Sequence, residues 1–301
     1  MAVSTKVIKS RLRSIGNTKK ITKAMEMVSA AKMRKAINAV LLSRAYSLEA
    51  WKTVLNLAGK LNGQENPLLA AKEKIENVGV ILISSNRGLC AGFNSNIIQA
   101  ANKFAQEASV SGQVNCEWLA MGKVGAEYLA RNKQKIAATF EKPDVITQTQ
   151  EITTLAKMAV ADYLSGRYDK IMIAYTDFVS ALIQKAKVKQ LLPIEPQVDH
   201  DLGNVKENEK KIEQDFAEYL FEPNPAEVLN QFLPRMIEVQ VFQAALESNA
   251  SEHSARMMAM KNASEAATDM MSDLTLAFNQ ARQANITREI AEISGGKAAL
   301  E

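Results

Sequence analysis

Along the first part of the chain, apolar residues recur at mixed three- and four-residue steps: Val7 and Ile8, Leu12, Ile15, then Ile21, Met25, Val28, and later Leu48, Trp51 and Leu55. That is the helical period. Gly16 is the only breaker before Gly59, so the pattern predicts one helix from Ser4 to Ala58, ended by Gly59 and Gly63. The middle of the chain changes character. Val78 to Ser84 is a continuous apolar run of strand length, suited to a strand buried on both faces. Helix (about Asn94 to Ser109), strand (Val114 to Met121), helix (Lys123 to Asn132), strand (Ile136 to Phe140), helix (Glu151 to Leu164) and strand (Ile171 to Thr176) then alternate. Gln184 to Leu192 shows the two-residue alternation of an edge strand. Alternating strands and helices predict a parallel sheet with helical crossovers.

The end of the chain is the most unusual part. Arg235 to Ser294 contains neither glycine nor proline, and as one helix would run about 90 Å at 1.5 Å per residue. Between Ser248 and Ser272 its apolar positions are all Ala or Met, with no Leu, Ile, Val or Phe. Such a helix is long and smooth-sided, more like a shaft than a core element. Pro225 suits a first helical turn, and Pro234 should kink the helix or mark its true start. The pattern as a whole gives the fold class: an α/β chain with a long antiparallel two-helix coiled coil and a central parallel-sheet, Rossmann-like domain. Its divisions are an N-terminal coiled-coil helix over 1–60, the α/β domain over 68–197, a charged linker over 198–224 and a C-terminal coiled-coil helix over 225–301. Residues 1–60 and 225–301 form a discontinuous shaft.

Because the long helices flank the sheet domain in sequence, short connections fold them back as an antiparallel pair. With their domain ends level, paired positions sum to about 283 and the second helix overhangs the first by about 22 Å. This register brings Glu265, Asp269 and Asp273 within reach of Lys9, Arg13 and Lys19. The overhang, Gln280 to Ser294, carries Ile286, Ile290 and Ile293 on one face. A lone helix of that length is marginal in water, so this face calls for a sleeve made by another protein.

Composition adds limits. A 47% hydrophobic content supports a real core, and a net charge of +4 is modest for 301 residues, arguing against wholesale coating of nucleic acid. No apolar run reaches the ~18 residues of a membrane span, so attachment to a membrane is expected only through partners. Cys90 and Cys116, the only cysteines, form no CxxC or Cys/His cluster and are expected as free thiols. The run Lys6, Lys9, Arg11, Arg13, Lys19, Lys20 and Lys23 has no acid before Glu26. It admits three readings: a targeting presequence, a basic arm for nucleic acid, or a helix face turned to solvent or acidic partners.

The one candidate for chemistry is the loop after the first strand, Ser84 to Asn94, with Gly88, Cys90 and Gly92. Ligand sites of open α/β sheets lie at such turns. It is neither a dinucleotide fingerprint nor a phosphate-cradling loop. Arg87 stands near Cys90 and could lower a thiol pKa, yet the only histidines, His200 and His253, lie outside this domain. A structural turn is the favoured reading. Metal-ligand spacings are absent as well. No catalytic group, cofactor or metal is therefore expected.

Three segments carry a resemblance. Asn17 to Ala36, Ser251 to Lys261 and Ala281 to Ser294 resemble, in order, the N-terminal, mid-shaft and C-terminal signatures of the gamma subunit of rotary F-type ATP synthases. The first signature begins inside the basic run, which assigns that run to the mature protein. The resemblance implies an antiparallel coiled coil inside a ring of alternating alpha and beta subunits. The sheet domain would rest, with the epsilon subunit, on the membrane c ring. The chain would be a peripheral protein on the cytoplasmic side of the cell inner membrane, would hydrolyse nothing, and would leave ATP to its partners. Its role would be differential contact with open and closed beta states as ion flow turns the c ring, a coupling free energy rather than a reaction. By motif match, Met25, Arg256, Gln283, Thr287 and Glu289 occupy beta-contacting positions, and Ile286, Ile290 and Ile293 face an apical hydrophobic bearing.

The chain departs from the family pattern in places. Asn86 and Ala91 stand where an acid and a glycine are usual, and Gly295-Gly296-Lys297 replaces a glycine and an alanine at the tip. The 198–215 segment holds no cysteine pair, so the thiol regulation of chloroplast relatives is not expected. The reading from another class is a basic coiled-coil scaffold or a nucleic-acid-binding protein led by Lys6 to Lys23.

Overall fold

The fold was analysed in a computed structural model, which describes residues 5–60, 66–72, 74–112, 114–194 and 224–298. The charged linker of 198–223, with His200, lies outside them. The elements are α1 (Thr5–Lys60), β1 (Asn77–Ile83), α2 (Phe93–Gly112), β2 (Asn115–Met121), α3 (Lys123–Arg131), β3 (Ile136–Phe140), α4 (Gln150–Leu164), β4 (Lys170–Phe178), β5 (Gln184–Leu192) and α5 (Pro225–Ala298). Two compact units can be distinguished: residues 30–255, and residues 1–29 with 256–301.

The larger unit is built on a five-stranded sheet of order β3-β2-β1-β4-β5. The first four strands are parallel and β5 pairs antiparallel with β4, so the strand read as an edge closes a mixed sheet. β1 is buried on both faces because its side chains feed two layers. Val78, Val80 and Leu82 pack with Ile97, Ile98 and Ala101 of α2 and Leu129 of α3. Ile81 and Ile83 face the other side, with Ile152, Leu155 and Ala159 of α4, Ala36 and Val40 of α1, and Leu233, Ile237 and Val241 of α5. Here α1 and α5 run antiparallel: Arg44 reaches Glu247 at 3.3 Å, and Asn66, after α1, reaches Asn230 at 2.6 Å.

The C-terminal ends of the parallel strands are held by one tight crossing. Gly122, between β2 and α3, has φ 101°, and a Cβ there would lie 2.3 Å from the Ser84 carbonyl oxygen. The Gly125 N–H donates to Ser84 Oγ at 2.9 Å. Only glycine combines that φ with that approach.

In the smaller unit the α1–α5 seam is mostly made of small or flexible groups: Thr22 and Ser29 are buried on α1 with the bulkier Ile8, and Met260, Ser264 and Ala267 on α5. Gly16 lies against Met271. That pair sums to 287 rather than 283, about one helical turn from the level-ends register. Among the described residues no ion pair joins Lys9, Arg13 or Lys19 to Glu265, Asp269 or Asp273. Close packing of small side chains sets this register, and exposed long-chain charges contribute too little to hold it.

Both ends of α5 are informative. Asn224 caps it, its Oδ1 accepting the Glu227 N–H at 2.9 Å, and Pro225 takes the first position as expected. The helix runs through Pro234. It also continues past Ser294 to Ala298, because neither Gly295 nor Gly296 adopts the positive φ that stops a helix.

Candidate partner-binding site

The loop after β1 spends most of its polar groups on itself and on its neighbours in the fold. Asn94 is its hub: its Oδ1 accepts the Ser85 N–H at 3.0 Å, and its Nδ2 donates to Ser85 Oγ at 2.7 Å and to Cys90 Sγ at 3.2 Å. Ser85 Oγ donates to the Arg87 carbonyl at 2.6 Å. Asn86 Nδ2 donates to the Lys142 carbonyl at 2.6 Å, tying the loop to the chain after β3. Leu89 and Ala91 take positive φ, 62° and 47°. Cys90 is buried with Phe93 and Ala255, so its sulfur is packed rather than presented to a substrate. Asn86 and Ala91, the departures from the family pattern, therefore sit in a turn that is held by amide and hydroxyl groups.

A second polar constellation surrounds α5 in the larger unit. Gln243, Glu247, Ser248, Asn249, Ser251, Glu252, His253 and Ser254 are all buried. Glu252 pairs with Lys142, itself buried. His253 Nε2 donates to the Asp144 carbonyl at 2.7 Å, and Ser251 and Ser254 donate to the carbonyls of Thr176 and Ala181 at 3.2 and 2.7 Å. The Lys32 ammonium, 2.6 Å away, holds the Asp144 carboxyl below its ordinary range against the upward push of burial. Burial pushes Glu247 up to about 7; Gln243 and Arg44 oppose the shift and Asp177 adds to it. Sequence reasoning missed this constellation. Its signal in the sequence was the run Glu247 to Ser254, polar but for Ala250, at the start of a stretch whose apolar positions are all Ala or Met.

The residues named from the family signatures all lie in the smaller unit. Met25 and Arg256 are half-buried on α1 and α5. Gln283, Thr287 and Glu289 are exposed on the last turns of α5. Ile286, Ile290 and Ile293 are 48%, 59% and 74% exposed. The structure thus gathers Gln283 to Ile293 on one helical segment, with Met25 and Arg256 several turns back. Lys6, Lys9, Arg11, Arg13, Lys20 and Lys23 are exposed on α1, with Lys19 half-buried. Among the described residues there is no cluster of His, Cys, Asp and Glu fit to hold a metal, and no helix long and apolar enough to cross a membrane.

The end of α5 leaves three isoleucines exposed, and the loop after β1 is tied down by hydrogen bonds within itself and to Lys142. The model of a family described as ATP synthase matches residues 4–300. The ATP synthase gamma chain of Roseiflexus castenholzii is 38% identical over 99% of this chain and 98% of its own length. That of Pelotomaculum thermopropionicum is 41% identical over 99% of each. The chain belongs to the ATP synthase gamma-chain family. Two solved structures agree on the fold. A chain of the Euglena gracilis mitochondrial ATP synthase (OSCP/F1/c-ring) superposes with a TM-score of 0.66 at 18% identity, covering 98% of this chain and 94% of its own. One from the Tetrahymena thermophila mitochondrial central stalk and c ring gives 0.61 at 23% identity, over 81% and 99%. Membership of this family does not favour the scaffold or nucleic-acid reading. It makes the chain a subunit of an ATP synthase complex.

Proposed function

We propose that this chain is the central rotor shaft of an F-type ATP synthase, coupling ion-driven c-ring rotation to ATP synthesis at the catalytic beta subunits. The observation that carries the reading is the apolar tip of α5, where Ile286, Ile290 and Ile293 stand 48%, 59% and 74% exposed. Burying a fully exposed isoleucine gains roughly 1.5–3 kcal/mol, so each of these gains about half to three quarters of that in an apolar sleeve of the alpha and beta ring. Gln283, Thr287 and Glu289 share that segment and contact the beta subunits, as do Met25 and Arg256 further down. The division into a shaft of 1–60 with 225–301 and a base of 68–197 follows the same logic. The base meets the epsilon subunit and the c ring, which places the chain peripherally on the cytoplasmic face of the inner membrane. ATP is bound only by the partners, and the chain itself is not catalytic. Mild detergent extraction tests this. The chain should emerge in a single copy with two larger nucleotide-binding chains in excess, and the purified chain should not turn over ATP. Self-paired copies without those partners, or turnover by the pure chain, would overturn the reading.

A further inference from the structure

Residues 251 to 254 of α5 are four in a row, all buried, and all tied to other parts of the larger unit. Ser251 Oγ donates to the Thr176 carbonyl on β4 at 3.2 Å, and Glu252 pairs with Lys142 after β3. His253 Nε2 donates to the Asp144 carbonyl at 2.7 Å, and Ser254 Oγ to the Ala181 carbonyl in the β4–β5 turn at 2.7 Å. Successive side chains of an α-helix project about 100° apart, so four in a row span its whole circumference. The helix is held on every side, by groups whose strength depends on direction. On the N-terminal side Leu233, Ile237, Val241 and Leu246 still give α5 ridges against the core, but from Ala250 onward it offers few, since Ala255 and the segment beyond are Ala- and Met-rich. Ridge-into-groove packing, which normally fixes a helix's rotation, is weak where side chains are this small. Burying an ion pair such as Lys142 and Glu252 is rarely a net source of stability, and its best-attested use is to select one register.

We propose that Ser251, Glu252, His253 and Ser254, with Lys142 and the Asp144 carbonyl, form a collar that indexes the azimuth of α5 in the base and so passes torque between sheet and shaft. Turning the helix by one residue, or sliding it by its 1.5 Å rise, breaks all four contacts together. These are positioning residues and touch no substrate. The proposal rests on the rotor reading above. Losing a preference of this kind changes the ratio of competing azimuths by about five- to thirty-fold.

The test uses the whole ATP synthase, reconstituted in vesicles with either the wild-type chain or one carrying Lys142→Met, Glu252→Met, Ser251→Ala and Ser254→Ala. Replacing both members of the pair by apolar groups keeps the volume filled. The variant should assemble and hydrolyse ATP at the wild-type rate, with a melting temperature lowered by a few degrees at most for the two lost serine hydrogen bonds. Its ions pumped per ATP should fall about fivefold. A purely structural role would move the melting temperature and leave that ratio alone. Should the fourfold variant not fold, the halves Lys142→Met/Glu252→Met and Ser251→Ala/Ser254→Ala decide the matter, each with a smaller loss of pumping at full hydrolysis. Wild-type pumping per ATP in the folded variants would overturn the collar and leave the rotor reading intact. Wild-type complexes that hydrolyse ATP without pumping would instead remove the rotor reading, and this inference with it.

Discussion

Gly16 of α1 packs against Met271 of α5, where a Cβ added to the glycine would sit 3.8 Å from the methionine Cε. That is ordinary van der Waals contact, and the neighbour is the free end of a flexible side chain. Gly16→Ala is therefore expected to stabilise the chain by about 0.5–1 kcal/mol, because alanine restricts the unfolded chain and suits a helix interior. Chemical denaturation of the two proteins checks it. A clear loss of stability would mean that the helices meet more closely at Gly16 than this contact allows.

The same relationship shows what the sequence could not supply. The existence and pairing of the long helices were legible from their apolar period and from the absence of breakers. The strands were legible because Val78 to Ile83 and Ile171 to Tyr175 are apolar enough to be buried on both faces. The register was not, because level ends and exposed charges were the only cues and neither decides it. Seam residues such as Ser264 and Ala267 are too small to stand out in a pattern of hydrophobicity. The exposed isoleucines near the tip were legible as an unpartnered face. The collar was not, because Lys142 and Asp144 lie on a loop and polar residues on a helix look the same whether water or a carbonyl group answers them.

Gly122→Ala should be strongly destabilising. Its φ of 101° is strained for any L side chain, and the new Cβ would fall 2.3 Å from the Ser84 carbonyl oxygen, a backbone atom that cannot swing away. A loss of at least about 2 kcal/mol is expected from the dihedral and the clash together. Gly166→Ala is the control, since Gly166 has φ 79° with nothing within 4 Å and carries the dihedral cost alone. Equal losses at the two sites, measured by urea unfolding, would show that the Ser84 approach is unimportant.

Glu247 makes stability depend on pH. Burial raises its carboxyl from 4.5 to about 7 in the folded chain. A raised folded pKa means that the native state binds the proton more tightly than the unfolded one. Its contribution is then present below about 4.5 and is lost as pH rises to about 7, with no further change above that. Relative to Glu247→Gln, which cannot ionise, the wild-type melting temperature should fall across pH 5 to 7 (approximate limits of that window) and then run parallel. A constant difference across the window would mean that Arg44, 3.3 Å away, keeps Glu247 ionised throughout.

Removing the tip should separate folding from coupling. With Gly16 opposite Met271, the first described turn of α1 reaches only to the neighbourhood of Arg282, so Ile286, Ile290 and Ile293 have no partner on α1. Ending the chain after Arg282, past the last turn that faces α1, opens no internal cavity, and the isolated protein should melt within a degree or so of the full chain. In the complex, ATP made per ion translocated should fall, because about half to three quarters of the roughly 1.5–3 kcal/mol for burying an isoleucine is forfeited at each of the three positions in the sleeve. Unfolding of the shortened chain would place the tip in this protein's own core. Unimpaired coupling would make it a passive extension and withdraw Gln283, Thr287 and Glu289 as contacts.

The central claim, that this chain turns inside a stationary catalytic ring, is open to direct observation. A thiol introduced as Lys103→Cys on the exposed surface of α2 can carry a bead, with Cys90 buried and Cys116 half-buried. The catalytic subunits are fixed to a glass surface and ATP is added. Unidirectional, stepwise rotation of the bead that begins with ATP and stops when it is exhausted is the expected result. A bead that stays still while the same immobilised complexes hydrolyse ATP would contradict it.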